Sequence, residues 1–179
     1  MRASLIFLIP AVFLANTAMA QPKPGPKPAA KPASTNTPKL IGKFDDWKAA
    51  THVEAGQTVC YAFTSAQSSV PPVAGRGDVN LTITERPQTT RDAVAISAGF
   101  AYAANSAVAV SADGVAMEFY TAKASAFARD GVAAVQAFLK AKQVLARSPN
   151  PKGGMVTDQF STKGLTAAYA AINKACPPK

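Results

Sequence analysis

His52 is the sequence's only histidine, and it precedes Val53-Glu54-Ala55-Gly56, which reads as a surface loop. A histidine can serve there as a base, but a Ser-His-Asp or Cys-His centre also needs a nucleophile placed within its reach. Ala95-Ile96-Ser97-Ala98-Gly99 has part of the form of a nucleophile elbow. Its first Gly is missing and no helix follows, so Ser97 reads as a strand serine. One His, with both cysteines expected to be bonded, leaves only carboxylates as metal ligands. Gly75-Arg76-Gly77 lacks the Lys and Ser/Thr of a phosphate-binding loop. Asp45-Asp46 sets two carboxylates side by side, and adjacent acids more often form a turn or cap. Arg76-Gly77-Asp78 spells the tripeptide that integrins bind, and it also reads as a turn leading into a strand at Val79. These residues lead to the expectation of a protein with no catalytic residues, no cofactor and no metal.

Cys60 and Cys176 admit a single pairing, and an exported chain with an even cysteine count usually forms it. Such a bridge would tie the start of the folded region to its last helix. In the chain-entropy picture, closing a loop of about a hundred residues is worth roughly 4–5 kcal/mol. Two buried thiols, or a shared metal, are the alternatives.

Export itself is read from Met1–Ala20. Arg2 is followed by an apolar run over Leu5–Leu14, and Ala18-Met19-Ala20 has the small residues that signal peptidase needs. Cleavage is expected between Ala20 and Gln21. The apolar run is too short for a membrane span, which takes about 20 residues, and no cysteine follows it to carry a lipid. Ala93–Val110 is the next most apolar stretch, but Ser97, Gly99, Asn105 and Ser106 interrupt it. The expected location is the periplasm, with association to the outer membrane or cell surface left open.

Gln21–Lys39 alternates Pro, Lys and Ala and cannot bury apolar surface. It should form an extended, mostly polyproline II spacer, serving either as a tether or as a solvated leader. The formal charge of +9 comes from 19 basic and 10 acidic residues. Arg2, Lys23, Lys27, Lys31 and Lys39 all precede the first acid, so residues from Leu40 onward carry 14 basic against 10 acidic. Much of the basicity therefore belongs to the spacer. Nucleic acid is a poor partner for an exported protein. An unknown protein, an anionic envelope polymer or lipid head groups remain as partners, the anionic ones attracted weakly and salt-sensitively. Oligomeric state is not readable from the sequence.

The elements that would position any site follow from periodicity. Val79, Leu81 and Ile83 alternate with Asn80, Thr82 and Thr84 as a half-buried strand; Val59, Tyr61 and Phe63 do the same around Cys60, and Val94, Ile96 and Ala98 follow. Asp113-Gly114 suits a two-residue turn with positive φ, pairing Ala112 with Val115, Val110 with Met117 and Val108 with Phe119. Asp130 should cap a helix whose inner face is Val132, Val135 and Leu139. Gln143–Arg147 and Met155–Phe160 read as strands around the Pro- and Gly-rich turn Ser148–Gly154. Leu165, Tyr169, Ile172 and Cys176 step along one stripe of a closing helix. The fold class expected is mainly β (α+β), an antiparallel β-sandwich or rolled sheet with one inserted and one C-terminal helix. Residues 1–20 are the signal, 21–39 the spacer and 40–179 a single domain.

From Phe44 to Cys176 the chain resembles the invasion-associated locus B family of bacterial envelope proteins. Phe44-Asp45-Asp46-Trp47 is similar to the family's aromatic-Gly-Asp-Trp opening, and Val59-Cys60-Tyr61-Ala62 to its Cys-Tyr-Ala segment. Ile83-Thr84-Glu85-Arg86-Pro87, Ser97-Ala98-Gly99-Phe100 and Phe119-Tyr120-Thr121 resemble three strands. The most specific stretch is Val156–Leu165, which contains Asp158, Ser161, Lys163 and Gly164. Lys123–Phe127 departs from the family's Gly-Asp-Gly-Ala-Trp. Ser148–Gly154 departs from its Arg-containing turn, and Thr162 stands where Leu is usual.

The resemblance implies an envelope protein with no established reaction, linked in some relatives to host-cell invasion. The leading expectation is a non-enzymatic binding protein of the periplasm or surface. A host-directed adhesion or invasion factor is the second reading, and an envelope hydrolase centred on His52 the third.

Overall fold

The computed structural model describes residues 37–178. The signal segment Met1–Ala20, its cleavage point and nearly all of the spacer lie outside these residues. Among the described residues, eleven strands form one antiparallel sheet. They are β1 Lys39–Phe44, β2 Trp47–Glu54, β3 Gln57–Ser65, β4 Ser68–Val70, β5 Asn80–Glu85, β6 Ala93–Ser97, β7 Ala107–Ala112, β8 Val115–Ala122, β9 Ser125–Ala128, β10 Gln143–Pro149 and β11 Met155–Ser161. Helix α1 (Gly131–Lys140) is inserted between β9 and β10, and α2 (Leu165–Ala175) follows β11. The mainly β class with two helices is as expected from the sequence. Strand β1 starts at Lys39, the last residue assigned to the spacer.

The strand order is β1-β2-β3-β5-β6-β9-β8-β7-β10-β11-β4. Strands β3 and β4 are third and last in that order, yet only Ala66 and Gln67 join them. Two residues span that separation only if the sheet curls until its far edge returns to β3. Backbone bonds from Ala66 N–H to the Val79 carbonyl and from Gln67 N–H to the Gln159 carbonyl, 2.9 and 2.8 Å, fix this crossing. The result is a rolled sheet that does not close into a barrel.

Local chemistry explains most of the roll. Asp113 and Gly114 take φ of 43° and 93°, and the β7–β8 register pairs Ala112 with Val115, Val110 with Met117 and Val108 with Phe119, as read from the turn. Leu81 and Ile83 of β5, with Val94 and Ile96 of β6, face the interior. Asp130 caps α1 by accepting the Ala133 N–H at 2.9 Å. Helix α2 packs against β1, β2, β3 and β5, and Leu165, Ala168, Ile172 and Cys176 are its buried stripe.

Three sequence expectations need correction. Strand β3 buries Val59 as expected, together with Cys60, Ala62 and Thr64, whereas Tyr61 and Phe63 are half-buried on the outer face. The Cys60–Cys176 disulfide holds that inner face against α2. Helix α1 buries Ala134, Val135 and Phe138, and Val132 is 56% exposed. Phe138 offers more apolar surface than Val132, so the helix is rotated to bury the ring. His52 lies in β2 opposite Val59, not in a loop, because the turn is confined to Ala55-Gly56.

Candidate binding face

Most of the motif residues do structural work at two seams of the roll. At the first, the β1–β2 turn meets the β11–α2 turn. Asp45 has φ of 49°, and Trp47 is fully buried with its indole N–H donating to the Ser161 carbonyl at 2.8 Å. Asp46 N–H donates to the Lys163 carbonyl at 3.3 Å, and Ser161 Oγ accepts the Lys163 N–H at 3.0 Å. Lys163 Nζ lies 3.3 Å from Asp45 on the exposed rim. Gly164, at φ 90°, starts α2 with the Phe44 carbonyl so close that a Cβ would collide with it. Asp45-Asp46 is thus a turn, as the sequence implied.

The second seam contains an ion pair that the sequence did not reveal. Arg76 meets Asp158 through both terminal nitrogens, at 2.6 and 2.7 Å, with side chains 5% and 0% exposed. Arg76 Nε donates to the Ala98 carbonyl at 2.5 Å, Ser69 Oγ donates to Asp158 at 2.6 Å, and the guanidinium lies 4.7 Å from the Phe100 ring centre. Gly99, at φ 69°, lets its backbone touch that of Gly77. The guanidinium of Arg76-Gly77-Asp78 therefore points into the protein and is not presented as an integrin ligand. Nearby, burial raises the Tyr102 phenol, which shares a 3.1 Å hydrogen bond with Ser148 Oγ.

A third cluster stands beside the disulfide. Cys60 pairs with Glu85 across β3 and β5, and Cys60 and Cys176 are bonded with Cα atoms 5.9 Å apart. Arg91 Nε lies 2.8 Å from the Glu85 carboxylate, while its terminal nitrogens reach the Cys176 carbonyl at 2.6 Å and Asn173 Oδ1. Arg91 so ties β5 to the end of α2. Burial, reinforced by the Asp92 carboxylate, pushes Glu85 up to about 7 despite the pull of Arg91. Tyr169 Oη donates to Asp92 at 2.6 Å and is pushed up to about 12, chiefly by burial.

A row of partly exposed rings and hydroxyls lies on the outer face of β2, β3 and β5. Strand alternation puts His52, Tyr61, Phe63, Thr82 and Thr84 on one surface. His52 meets Tyr61 edge-on with ring centres 5.4 Å apart, and Tyr61 is 5.7 Å from Phe63. Lys48 Nζ reaches over Phe63 at 5.7 Å. Pro38, His52, Tyr61, Thr82, Thr84 and Arg86 line an open cleft of about 370 Å³. Arg86 Nε is 3.0 Å from Glu54, and its side chain is 37% exposed. Pro87 follows it, half-buried, at the strand end. Ser97, the candidate elbow serine, is a half-buried residue of β6.

The family model described as Invasion associated locus B (IalB) protein matches residues 47–173. The chain belongs to the invasion-associated locus B family. No curated protein and no solved structure matches it. Within this family member the motif positions Trp47, Gly99, Asp158, Ser161, Lys163 and Gly164 serve the two seams, and Cys60 and Cys176 form the bridge. Tyr61 and Arg86 are the two that reach the open cleft. Sequence reasoning assigned Tyr61 and Phe63 to the inner face and so missed the row. The alternating Asn80, Thr82 and Thr84 were the one signal pointing to this surface.

Proposed function

We propose that this invasion-associated locus B protein is a non-enzymatic binding protein of the cell envelope, exported to the periplasm or surface, that engages its partner through the outer face of β2, β3 and β5. The observation that carries the reading is the cleft itself. It combines half-buried rings, hydroxyls and a partly exposed guanidinium, a mixture that gives apolar contact area with orienting polar groups. Support for export comes from the Cys60–Cys176 disulfide, which persists in oxidising compartments, and from the signal-like Met1–Ala20. Among the described residues no helix is long and apolar enough to cross a membrane.

A photo-crosslinking residue at Thr82, introduced into the protein in its native cells, tests the proposal. A discrete adduct is expected from Thr82 and not from the exposed Val132 on α1. Adducts equally absent at both positions, or equally abundant, would overturn it.

A further inference from the structure

The composition of this face also indicates what it takes. We infer that the cleft at Tyr61 and Arg86 binds an acidic polysaccharide, with sugar rings against the aromatic side chains and carboxylates drawn to the basic groups around them. This rests on the reading of the face as the binding surface.

Charge complementarity gives the first support. Arg86 lines the cleft, Lys48 stands over Phe63, and Lys39 and Lys43 lie in β1 at the sheet edge. Glu54 and Arg86 offset each other at 3.0 Å, as do Asp45 and Lys163 at 3.3 Å. Asp46 lies beside Lys48, so the positive surplus rests on Lys39, Lys43 and Lys48. Such a local surplus of positive charge attracts a polyanion over about a Debye length, roughly 8–10 Å at physiological salt.

Shape and polarity separate a glycan from an acidic peptide. Tyr61 and His52 offer ring surface, while Thr82 and Thr84 offer a row of hydroxyls set by the two-residue strand period. A pyranose presents the matching pair of features, an apolar C–H face and a hydroxyl edge. Aromatic residues with a polar handle suit such half-wet contacts. A planar guanidinium then matches a carboxylate with two parallel hydrogen bonds. An acidic peptide would satisfy the charges and leave the ring and hydroxyl row unused.

Binding of polygalacturonate to the chain from Gln21 onward, at physiological salt, tests this, with neutral dextran and polyglutamate as comparators. Polygalacturonate should bind at least about tenfold more tightly than either. Tyr61→Ala and Arg86→Gln should each weaken it about tenfold or more while leaving the thermal midpoint of this half-exposed surface nearly unchanged. Equal binding of polyglutamate, or an unaffected Tyr61→Ala protein, would overturn the inference in favour of diffuse attraction. A protein adduct at Thr82 without polygalacturonate binding would overturn it too, while leaving the proposed binding face standing. Loss of both signals would remove the two together.

Discussion

Arg76 and Asp158 are 82 residues apart in sequence and meet in a two-pronged ion pair, 2.6 and 2.7 Å, that is almost wholly out of water. Asp158 belongs to β11, and Arg76 to the segment between β4 and β5. The pair thus fastens the long loop after the far edge strand to the strand beside that edge. Ser69 of β4 donates to the same carboxylate, so edge strand, loop and neighbour share one polar centre.

Removing one partner strands a buried charge, which costs about 3–5 kcal/mol. Asp158→Asn and Arg76→Met are each expected to lower the thermal midpoint by roughly 10–20 °C. The double variant Arg76→Met/Asp158→Leu should recover much of the loss, since an apolar pair carries no desolvation penalty. Thermal unfolding of the three proteins checks this; additive losses in the double variant would contradict it.

The Cys60–Cys176 bridge closes a separation of 116 residues and anchors the end of α2 beside β3. Titration of the native protein should find no free thiol. Reduction, or a Cys60→Ala/Cys176→Ala variant, is expected to cost about 2–5 kcal/mol. Denaturant unfolding with and without reductant measures this, and an unchanged midpoint would show that the bridge adds nothing.

Legibility in the sequence followed the range of the deciding interaction. The β7–β8 hairpin was readable because Asp113-Gly114 sets its register locally and burial of Val108 and Val110 agrees with it. The face of β3 was not, since Tyr61 and Phe63 are as apolar as core residues. A partner 116 residues away decides that Cys60 points inward. Helix α1 was placed correctly by its Asp130 cap, yet its rotation depends on Phe138 and the strand it covers. Neither the Arg76–Asp158 pair nor the cleft could be read, because both assemble only when the sheet rolls and brings separate strands together.

Glu85 gives the fold a pH dependence of definite sign. Its folded value, about 7, lies above the ordinary carboxyl value of 4.5 because burial and Asp92 outweigh Arg91. A raised folded value means that the group's contribution to stability is complete below about 4.5 and is lost as pH rises through about 7. Compared with Glu85→Gln, the parent protein should therefore lose stability between about pH 5 and pH 8. Unfolding midpoints measured across that range for both proteins give the difference. A difference that grows in the opposite direction would show that Arg91 controls the carboxyl.

Gly114 and Gly164 both have φ near 90°, but only one is crowded, so their alanine variants should differ. A Cβ on Gly114 meets nothing within 4 Å. Gly114→Ala thus suffers only the left-handed backbone penalty, about 1–2 kcal/mol. A Cβ on Gly164 would strike the Phe44 carbonyl as well, at the seam where Trp47 binds Ser161 and α2 begins. Gly164→Ala must therefore shift β1 or the start of α2, and a loss exceeding that of Gly114→Ala by about 2 kcal/mol or more is expected. Denaturant unfolding of the two variants, with Trp47 fluorescence reporting on the seam, compares them directly. Equal losses would mean that the seam yields at no cost and that Gly164 is needed for its backbone angle alone.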